Sequence, residues 1–498
     1  MSLSRKIKKV MLVFPPGKVL KGHFQRCELP MGLAYLAAVL KDDFQVKVVD
    51  GRAAFKNYAP KNSKWEYFGL KPDEILDKIK EFSPDVVGIT CISSFHFPEV
   101  LQLCAMIKKL NKSIITVTGG THPTFLADRI MRDHKEIDFI VLSEGERSFK
   151  DLLVKINLGE DPKSINGLAY RENGFFKINP KTEYIENLDE LPFPALELFP
   201  LDFYAKKNIP FSITSKSRKI APVLTSRGCV ANCVFCSSKN YWGRQYRMRS
   251  SGNVLDEIEF LVRKYNFKEI QFIDDNLTQD KARAERIFKG LIERNLDIQW
   301  STPNGIAIWT LDERMLVLMK RSGCYELTVA FESGDQEVLN KIIKKPLNLE
   351  KAKKLVMKMK QIRLQVNSFF ISGFPGETKE QIKRTFDFAW EMDLDSAWFF
   401  MANPTPGSEL YETCIKKGYI KDDFDFENIE YGLAHIDTED FSSKEIEKMV
   451  IYQFVFYNIG QMFRHPVRFF KKYLGIILRH PVRSFQMIWV DIMRIINR

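Results

Sequence analysis

Cys229, Cys233 and Cys236 fall within eight residues, at the spacing C-x3-C-x2-C, in the stretch Thr225-Ser226-Arg227-Gly228-Cys229-Val230-Ala231-Asn232-Cys233-Val234-Phe235-Cys236-Ser237-Ser238. A cubane iron–sulfur cluster takes one thiolate per iron and normally four in all. No fourth cysteine follows at ligand spacing. Three protein ligands leave one iron open, and an open metal position can hold a group that reacts. A zinc knuckle completed by a distant Cys or His, or three unrelated buried cysteines, would also fit the spacing. Zinc sites usually pair two C-x2-C units, and only one such unit is present. Three of the eight cysteines gathered so closely also argue against chance placement.

A βα rhythm runs on both sides of this stretch. Short β-rich apolar runs at 10–14, 44–49, 85–91, 114–118 and 139–142 alternate with amphipathic stretches at 32–41, 74–82, 98–110, 124–133 and 147–156. Five strands alternating with helices predict a doubly wound parallel sheet covered on both faces. Ligands of such sheets bind at the carboxyl ends of the strands. The loops there are rich in small and polar residues, and glycine lets a backbone approach a ligand closely. They supply Thr90, Ser93, Ser94, Gly119, Gly120, His122, Glu144 and Gly145 as candidates. Any flavodoxin-like domain would carry similar turns. Residues 158–200 change in texture. Asn173-Gly174 between alternating segments signals a hairpin, and Leu191-Pro192-Phe193-Pro194 suits a linker.

After the cysteines the rhythm resumes, with strands expected at 222–226, 269–273, 298–302, 326–331, 365–371 and 396–401. Helix-length stretches follow, for example at 252–264, 281–294, 311–322 and 379–391. Six βα units suggest an open barrel, whose chemistry would sit on the loops at the carboxyl ends of its strands. The cysteines follow the first strand. Asp274 follows the second, Asn304 the third, Glu332 the fourth, and Gly373-Phe374-Pro375-Gly376-Glu377 the fifth. Singly, each has a plainer reading: Gly-Phe-Pro-Gly is an ordinary turn and Asp-Asp-Asn an ordinary helix cap. Their order along the strands singles them out. The expected division is an α/β domain at 1–150, a linker with a hairpin at 151–215, the barrel at 216–430 and a helical, basic region at 431–498.

C-x3-C-x2-C with Phe235 just before the last cysteine resembles the radical S-adenosylmethionine (SAM) enzymes. The resemblance implies a partial (β/α)6 barrel and a [4Fe–4S] cluster on Cys229, Cys233 and Cys236. SAM would chelate the open iron and, cleaved by the reduced cluster, give a 5′-deoxyadenosyl radical. It also implies an electron donor of the flavodoxin or ferredoxin type. Ser237 and Ser238 fall where the family's backbone meets the SAM amino group. Glu332 would take the ribose hydroxyls, and the segment of Gly373, Phe374, Pro375 and Gly376 the adenine, with Asp274 and Asn304 on the same face. Upstream, the segments 29–38, 85–90 and 119–124 and Glu144-Gly145-Glu146 resemble the Rossmann-like cobalamin-binding domain that precedes many such cores. No Asp-x-His-x-x-Gly occurs, so a histidine below cobalt is in doubt. His23, His96 and His122 lie near the expected face, each read as a loop or core histidine. The methylthiotransferases share the domain order, but Cys27, Cys91 and Cys104 do not match their second cluster motif. The implied function is a cobalamin-dependent radical SAM enzyme, first of all a methyltransferase acting on an unactivated carbon. Oxidation or ring closure with the same cofactors is the alternative, and a non-enzymatic cobalamin or metal sensor the third reading. The substrate, a small molecule or a lipid, leaves no motif, and no residue is assigned to proton transfer.

Charge bears on partners. The net charge is +12, and residues 460–498 hold eight Lys or Arg against one Asp, so the rest of the chain is nearly balanced. That argues against a nucleic-acid groove across the main body. Few, clustered cysteines and the lack of a signal-type apolar segment lead to an expected cytoplasmic location. Within the basic region Arg464-His465-Pro466-Val467-Arg468 recurs as Arg479-His480-Pro481-Val482-Arg483. Proline suits a first helical turn. The residues after each copy place apolar and aromatic side chains on one helical face with basic flanks, the pattern of an interfacial helix. The expectation is a peripheral contact with the inner membrane face; packing of both helices on the barrel is the alternative.

Overall fold

The structure, a computed structural model, describes residues 6–21, 25–60, 63–172, 174–207, 215–420, 424, 426, 433–470 and 474. Its first half contains β1 (Lys9–Phe14), β2 (Gly17–Leu20), β3 (Gln45–Asp50), β4 (Asn57–Tyr58), β5 (Trp65–Phe68), β6 (Val86–Thr90), β7 (Ile115–Gly119), β8 (Phe139–Val141), β9 (Leu168–Glu172) and β10 (Phe175–Ile178). Seven of these form one sheet in the order β10-β9-β8-β7-β6-β1-β3. The five expected strands are its parallel part, with Val10 of the central β1 between Val46 and Val86. Helices cover both faces, so the consecutive residues Val10 to Phe14 are all buried, as a parallel strand requires.

Two features differ from expectation. The hairpin β9–β10 is not a free connection. It pairs antiparallel with β8, Ile140 opposite Ala169, and so extends the first sheet. Pairing satisfies an edge that would otherwise expose its N–H and C=O groups; Asn173 of the expected turn lies outside the described residues. The strands β2, β5 and β4 make a small antiparallel sheet beyond the carboxyl end of β1. At two to four residues each they are too short to show an alternation. The helix expected at 124–133 is two helices, Thr121–Phe125 and Ala127–Asp133, because Leu126 departs from helical geometry at φ −119°.

The second half contains β11 (Ile220–Val223), β12 (Ser226–Arg227), β13 (Arg247–Met248), β14 (Glu269–Phe272), β15 (Gln299–Ile306), β16 (Cys324–Glu332), β17 (Gln365–Ser372) and β18 (Ser396–Met401). Six form a parallel sheet in simple sequential order, β11-β14-β15-β16-β17-β18. Among the described residues β11 and β18 do not pair with each other, so the barrel is open. The remaining two, β12 and β13, form a two-residue antiparallel ladder that closes the base of the cysteine-bearing loop. One apolar cluster runs from Leu12 and Leu33 of the first half through Trp300, Phe331 and Phe370 of the barrel. The opposite face of the first sheet, with Met11, Val13 and Ile140, has its own cluster.

The C-terminal helix Ser443–Arg464 starts at a Ser442/Glu445 capping box and lies against β18. Tyr457 is buried there and donates from Oη to the Leu394 carbonyl at 3.1 Å. His465 Nε2 and Arg468 Nη2 reach Asp393 Oδ1 at 2.8 and 3.0 Å. The first copy of the repeat is therefore docked on the barrel; the second, at 479–483, lies outside the described residues. No described helix is long and apolar enough to cross a membrane. A Cβ at Gly460 would lie 2.0 Å from the Trp390 ring. Gly460→Val should therefore cost on the order of 1–3 kcal/mol by overpacking, seen as an earlier urea midpoint in tryptophan fluorescence.

Candidate functional site

The loop that carries the cysteines leaves β12 through Gly228, at φ 86°, where a Cβ would lie 2.8 Å from the Gln245 carbonyl. Only glycine enters this turn without strain. The Val234 N–H donates to Ile343 O at 3.0 Å and its carbonyl accepts from Leu410 N–H at 2.8 Å. The middle of the loop is thus pinned from two sides. All three thiols are free, Cys233 buried and its neighbours half-buried. Burial raises the Cys229 thiol above its ordinary value, Cys233 to about 11 and Cys236 to about 12. Such thiols stay protonated until a cation replaces the proton, which is how thiolate–iron ligation couples to proton release. Among the described residues no three His, Cys, Asp or Glu side chains converge on a single ion.

Two cavities open beside this loop. The larger, about 510 Å³, is lined by Cys236, Ser237, Asn304 and Glu332 from the barrel and by Ser93, Ser94 and His122 from the first domain. The smaller, about 320 Å³, lies over the carboxyl ends of the first sheet, with Thr90, Gly119, Gly120, Glu144 and Gly145 in its wall. Ile92 and Thr121 line both. Space around the smaller cavity's glycines tests whether it can take a bulky cofactor. A Cβ at Gly32 would meet nothing within 4 Å, and at Gly145 nothing nearer than 3.4 Å. Side chains at these positions would fill the cavity, not the protein, so the cradle suits a large group such as cobalamin. Gly120 is required for another reason: at φ 108° its Cβ would lie 2.6 Å from the Cys91 carbonyl.

Glu332 stands at φ 65°, an uncommon conformation for a side chain that large. Lys345 Nζ holds its Oε1 at 2.9 Å, both residues being buried. Burial would lower the Lys345 ammonium, but Glu332 and the thiols of Cys233 and Cys229 outweigh that and raise it. A fixed positive charge thus sits between the carboxylate and the cysteines. Asn304 Nδ2 donates to Ile273 O at 3.1 Å. His122 is buried against Phe97, and its Nδ1 lies 2.8 Å from Ser94 Oγ. Burial lowers it to about 3, so it is a neutral wall residue. His96 is half-buried, and His23 lies outside the described residues.

Several expected contacts are turned elsewhere. Asp274 lines neither cavity; its Oδ1 accepts from Thr225 N–H and Oγ1 at 3.1 and 2.6 Å and from Ser226 Oγ, clamping the approach to the cysteine loop. The neighbouring Asp275 faces the smaller cavity and accepts from Ser238 Oγ at 2.6 Å. Ser238 is thus held beside the cavity instead of lining it. Gly373, Phe374, Pro375 and Gly376 form a turn outside the cavity lining, while Ile371 at the end of β17 lines it. The turn is held from within. Glu377 Oε2 accepts from Gly373 and Phe374 N–H at 2.8 and 3.1 Å, and buried Oε1 has no partner. Sequence reasoning missed Lys345 and the interdomain pairs of Glu144. That carboxylate accepts from Arg227 Nη1 and from Arg247 Nη1, the latter at 2.9 Å, while Arg227 Nη2 reaches Glu146 at 2.6 Å. The only available signal was Arg227 two residues before Cys229 and an acidic pair in an otherwise small-residue loop.

Residues 17–153 match the B12 binding domain and residues 223–389 the radical SAM superfamily. The chain is 34% identical over 448 residues to cytidylyl-2-hydroxyethylphosphonate methyltransferase of Streptomyces wedmorensis, covering 84% of this chain and 83% of that protein. The chain belongs to the cobalamin-dependent radical SAM family. An uncharacterized methyltransferase of Pyrococcus horikoshii is likewise 34% identical, over 82% of this chain and 84% of that one. A radical SAM methyltransferase structure from Kitasatospora setae, with cobalamin and a [4Fe–4S] cluster bound, has the same fold. Its TM-score is 0.64 at 18% identity, over 82% of this chain and 75% of that one. As a cobalamin-dependent radical SAM enzyme, the protein uses cobalamin, a [4Fe–4S] cluster and SAM, and needs a reductant and a small-molecule substrate.

Two tests follow from the geometry. The variant Cys229→Ala/Cys233→Ala/Cys236→Ala should retain no iron or sulfide after anaerobic reconstitution, with near-native circular dichroism. Iron and sulfide retained at wild-type levels would refute the ligand assignment. Burial raises Glu377 to about 7 from an ordinary value of 4.5, against the two loop N–H bonds. A carboxyl with a raised folded-state pKa stabilises fully below 4.5 and loses that contribution as pH rises through 7. Glu377→Gln should therefore flatten the fall in stability between those values, by up to roughly 1.4 kcal/mol per pH unit, measured by urea titration across the range.

Proposed function

We propose that the enzyme transfers a methyl group to an unactivated carbon of a neutral, largely apolar substrate, a lipid included, in the larger cavity. The observation that carries this is the cavity's double origin. One wall holds Cys236, Asn304 and Glu332, the other Ser93, Ser94 and His122, so both cofactor faces look onto one space. When bound, SAM on the reduced cluster supplies a hydrogen-abstracting 5′-deoxyadenosyl radical, and cobalamin supplies the methyl group. The chain's own residues position and exclude. In this reading Cys229, Cys233 and Cys236 hold the cluster. Glu332, fixed by Lys345, accepts the ribose hydroxyls, Ser237 offers its backbone to the SAM amino group, and Asn304 and Ile371 flank the nucleoside. The small-residue loops with Thr90, Gly119, Gly120 and Gly145 hold the cobalamin without a histidine below cobalt.

Substrate class follows from what lines the cavity. Phe125, Phe235, Phe369, Phe400 and Met401 supply apolar surface that keeps water from a radical centre. Among the described residues no Lys or Arg lines it, so a phosphate or carboxylate next to the reacting carbon would find no counter-charge. Asn403 offers one directed contact, since its buried Oδ1 has no partner. The methyltransferase names of both relatives at 34% identity support methyl transfer over the oxidative alternative. Electrons are taken to come from a flavodoxin- or ferredoxin-type donor.

Anaerobic incubation with SAM, cobalamin and reductant, with extracts of cells lacking the protein as substrate source, tests the reading by mass. The expected product is one CH2 heavier than a compound that accumulates without the enzyme, and it partitions into organic solvent. A product two hydrogens lighter would identify oxidation or ring closure and overturn methyl transfer.

A further inference from the structure

The C-terminal helix has two apolar faces, and among the described residues only one is packed against the rest of the protein. Its inner face packs on the barrel through Ile446, Val450, Phe454 and Tyr457. On the outer face Phe456, Ile459, Phe463, Val467, Phe470 and Leu474 are 61, 45, 76, 80, 58 and 53% exposed. Phe456, Ile459 and Phe463 are spaced three and four residues apart and so share one face of the helix, and Val467 and Phe470 follow in the helical turn after Pro466. Isolated exposed apolar side chains are ordinary, but an aligned row of this size marks a contact surface.

The charges beside the stripe decide between occupants. The cations of the first repeat turn toward the barrel: His465 and Arg468 hold Asp393, and Arg464 Nη1 donates to Trp390 O at 3.3 Å. They clamp the helix and leave its outer face apolar. Directly beyond, residues 471–498 carry six Lys or Arg against one Asp. An apolar stripe followed in sequence by a net positive charge complements an anionic lipid surface, whose acyl boundary would take the first and whose headgroups the second.

We infer that this stripe is the protein's docking face for an anionic membrane, on which it lies peripherally, its barrel held at the surface by the Asp393 clamp. The attachment goes beyond the proposed reaction and does not depend on it. Full-length protein, bound to its cofactors, is mixed with vesicles of phosphatidylcholine alone or of an equimolar phosphatidylcholine–phosphatidylglycerol mixture and floated through a density gradient. The protein should float with the anionic vesicles and roughly tenfold less with the zwitterionic ones, and high salt should release it. Phe463→Ser/Val467→Ser/Phe470→Ser should remain at the bottom with an unchanged thermal midpoint, since these side chains are outside the core. Two outcomes of flotation overturn the inference: no flotation of the full chain on anionic vesicles, or equal flotation of the triple variant. A dimer in sedimentation that the triple variant abolishes would assign the stripe to a second copy and overturn it as well. An environment-sensitive fluorophore on Phe463→Cys should shift to the blue only when anionic vesicles are added. Emission already blue-shifted without vesicles would show the face covered by the protein's own chain, and the inference would fail.

Discussion

The relation of the two cofactor faces depends on one buried carboxylate. Glu144 sits in the loop after β8, is 2% exposed, and accepts from guanidinium groups on both strands of the β12/β13 ladder. Burial alone would raise it, but Arg227 and Arg247 outweigh that and hold it below its ordinary value. Ile185 N–H adds a bond at 2.7 Å from the segment joining the two halves. A buried charge network of this kind is weak evidence for net stability, because desolvation offsets most of the attraction. What it provides here is registry. Removing any member strands another charge in the interior, so relative sliding of the halves is costly. Arg227 lies two residues before Cys229 and Glu144 beside Gly145, so one contact positions the cysteine loop and the first domain's loop together.

Strain is found at the same places. Glu332 and Ser143 both stand at positive φ, at 65° and 58°. Each conformation is over-determined by its surroundings, as stored strain must be. Lys345 fixes the carboxylate of the first. The second is caught between Thr124 Oγ1, which accepts from its N–H at 2.7 Å, and Tyr241, whose Oη donates to its carbonyl at 2.9 Å. Tyr241 belongs to the short helix after Cys236, so this pair is a second tie between the halves, parallel to that of Glu144. The distortion at Ser143 thus belongs to the device that brings two loops into a fixed relation.

Much of the fold was legible because the signals are local. The six barrel strands and the five parallel strands of the first sheet are continuous apolar runs bounded by turn residues, and such runs need no partner to be recognised. The candidates that reached the cavities, such as Ser93, Gly119, Asn304 and Glu332, lie at or near strand ends, and so do Asp274 and Gly373 to Gly376, which did not; strand position alone does not decide which way a side chain faces. There side-chain direction is set by contacts such as Glu377 to the loop amides and Asp274 to Thr225. Lys345, Arg227 and Arg247 were invisible as site residues because their partners lie 13, 83 and 103 residues away. No periodicity encodes a pairing of that kind. The small sheet β2-β5-β4 escaped for the opposite reason, its strands being shorter than any period.

The placement of charge explains what kind of chemistry the cavity can host. Two sets of buried ion pairs fix the walls: Lys345 holds Glu332, which lines the larger cavity, and Arg227 holds Glu144 and Glu146 at the smaller one. Apart from Glu332, the surface facing the larger cavity is left to Phe125, Phe235, Phe369, Ile371, Phe400 and neutral polar groups. A carbon-centred radical carries no charge for a counter-ion to pair, and its reacting partners must be held in place without competing solvent. An ionic lining would draw in water to solvate its charges, whereas aromatic and aliphatic side chains exclude it. Rigidity and dryness thus come from different side chains of the same wall, the buried ion pairs fixing it and the apolar ones excluding water.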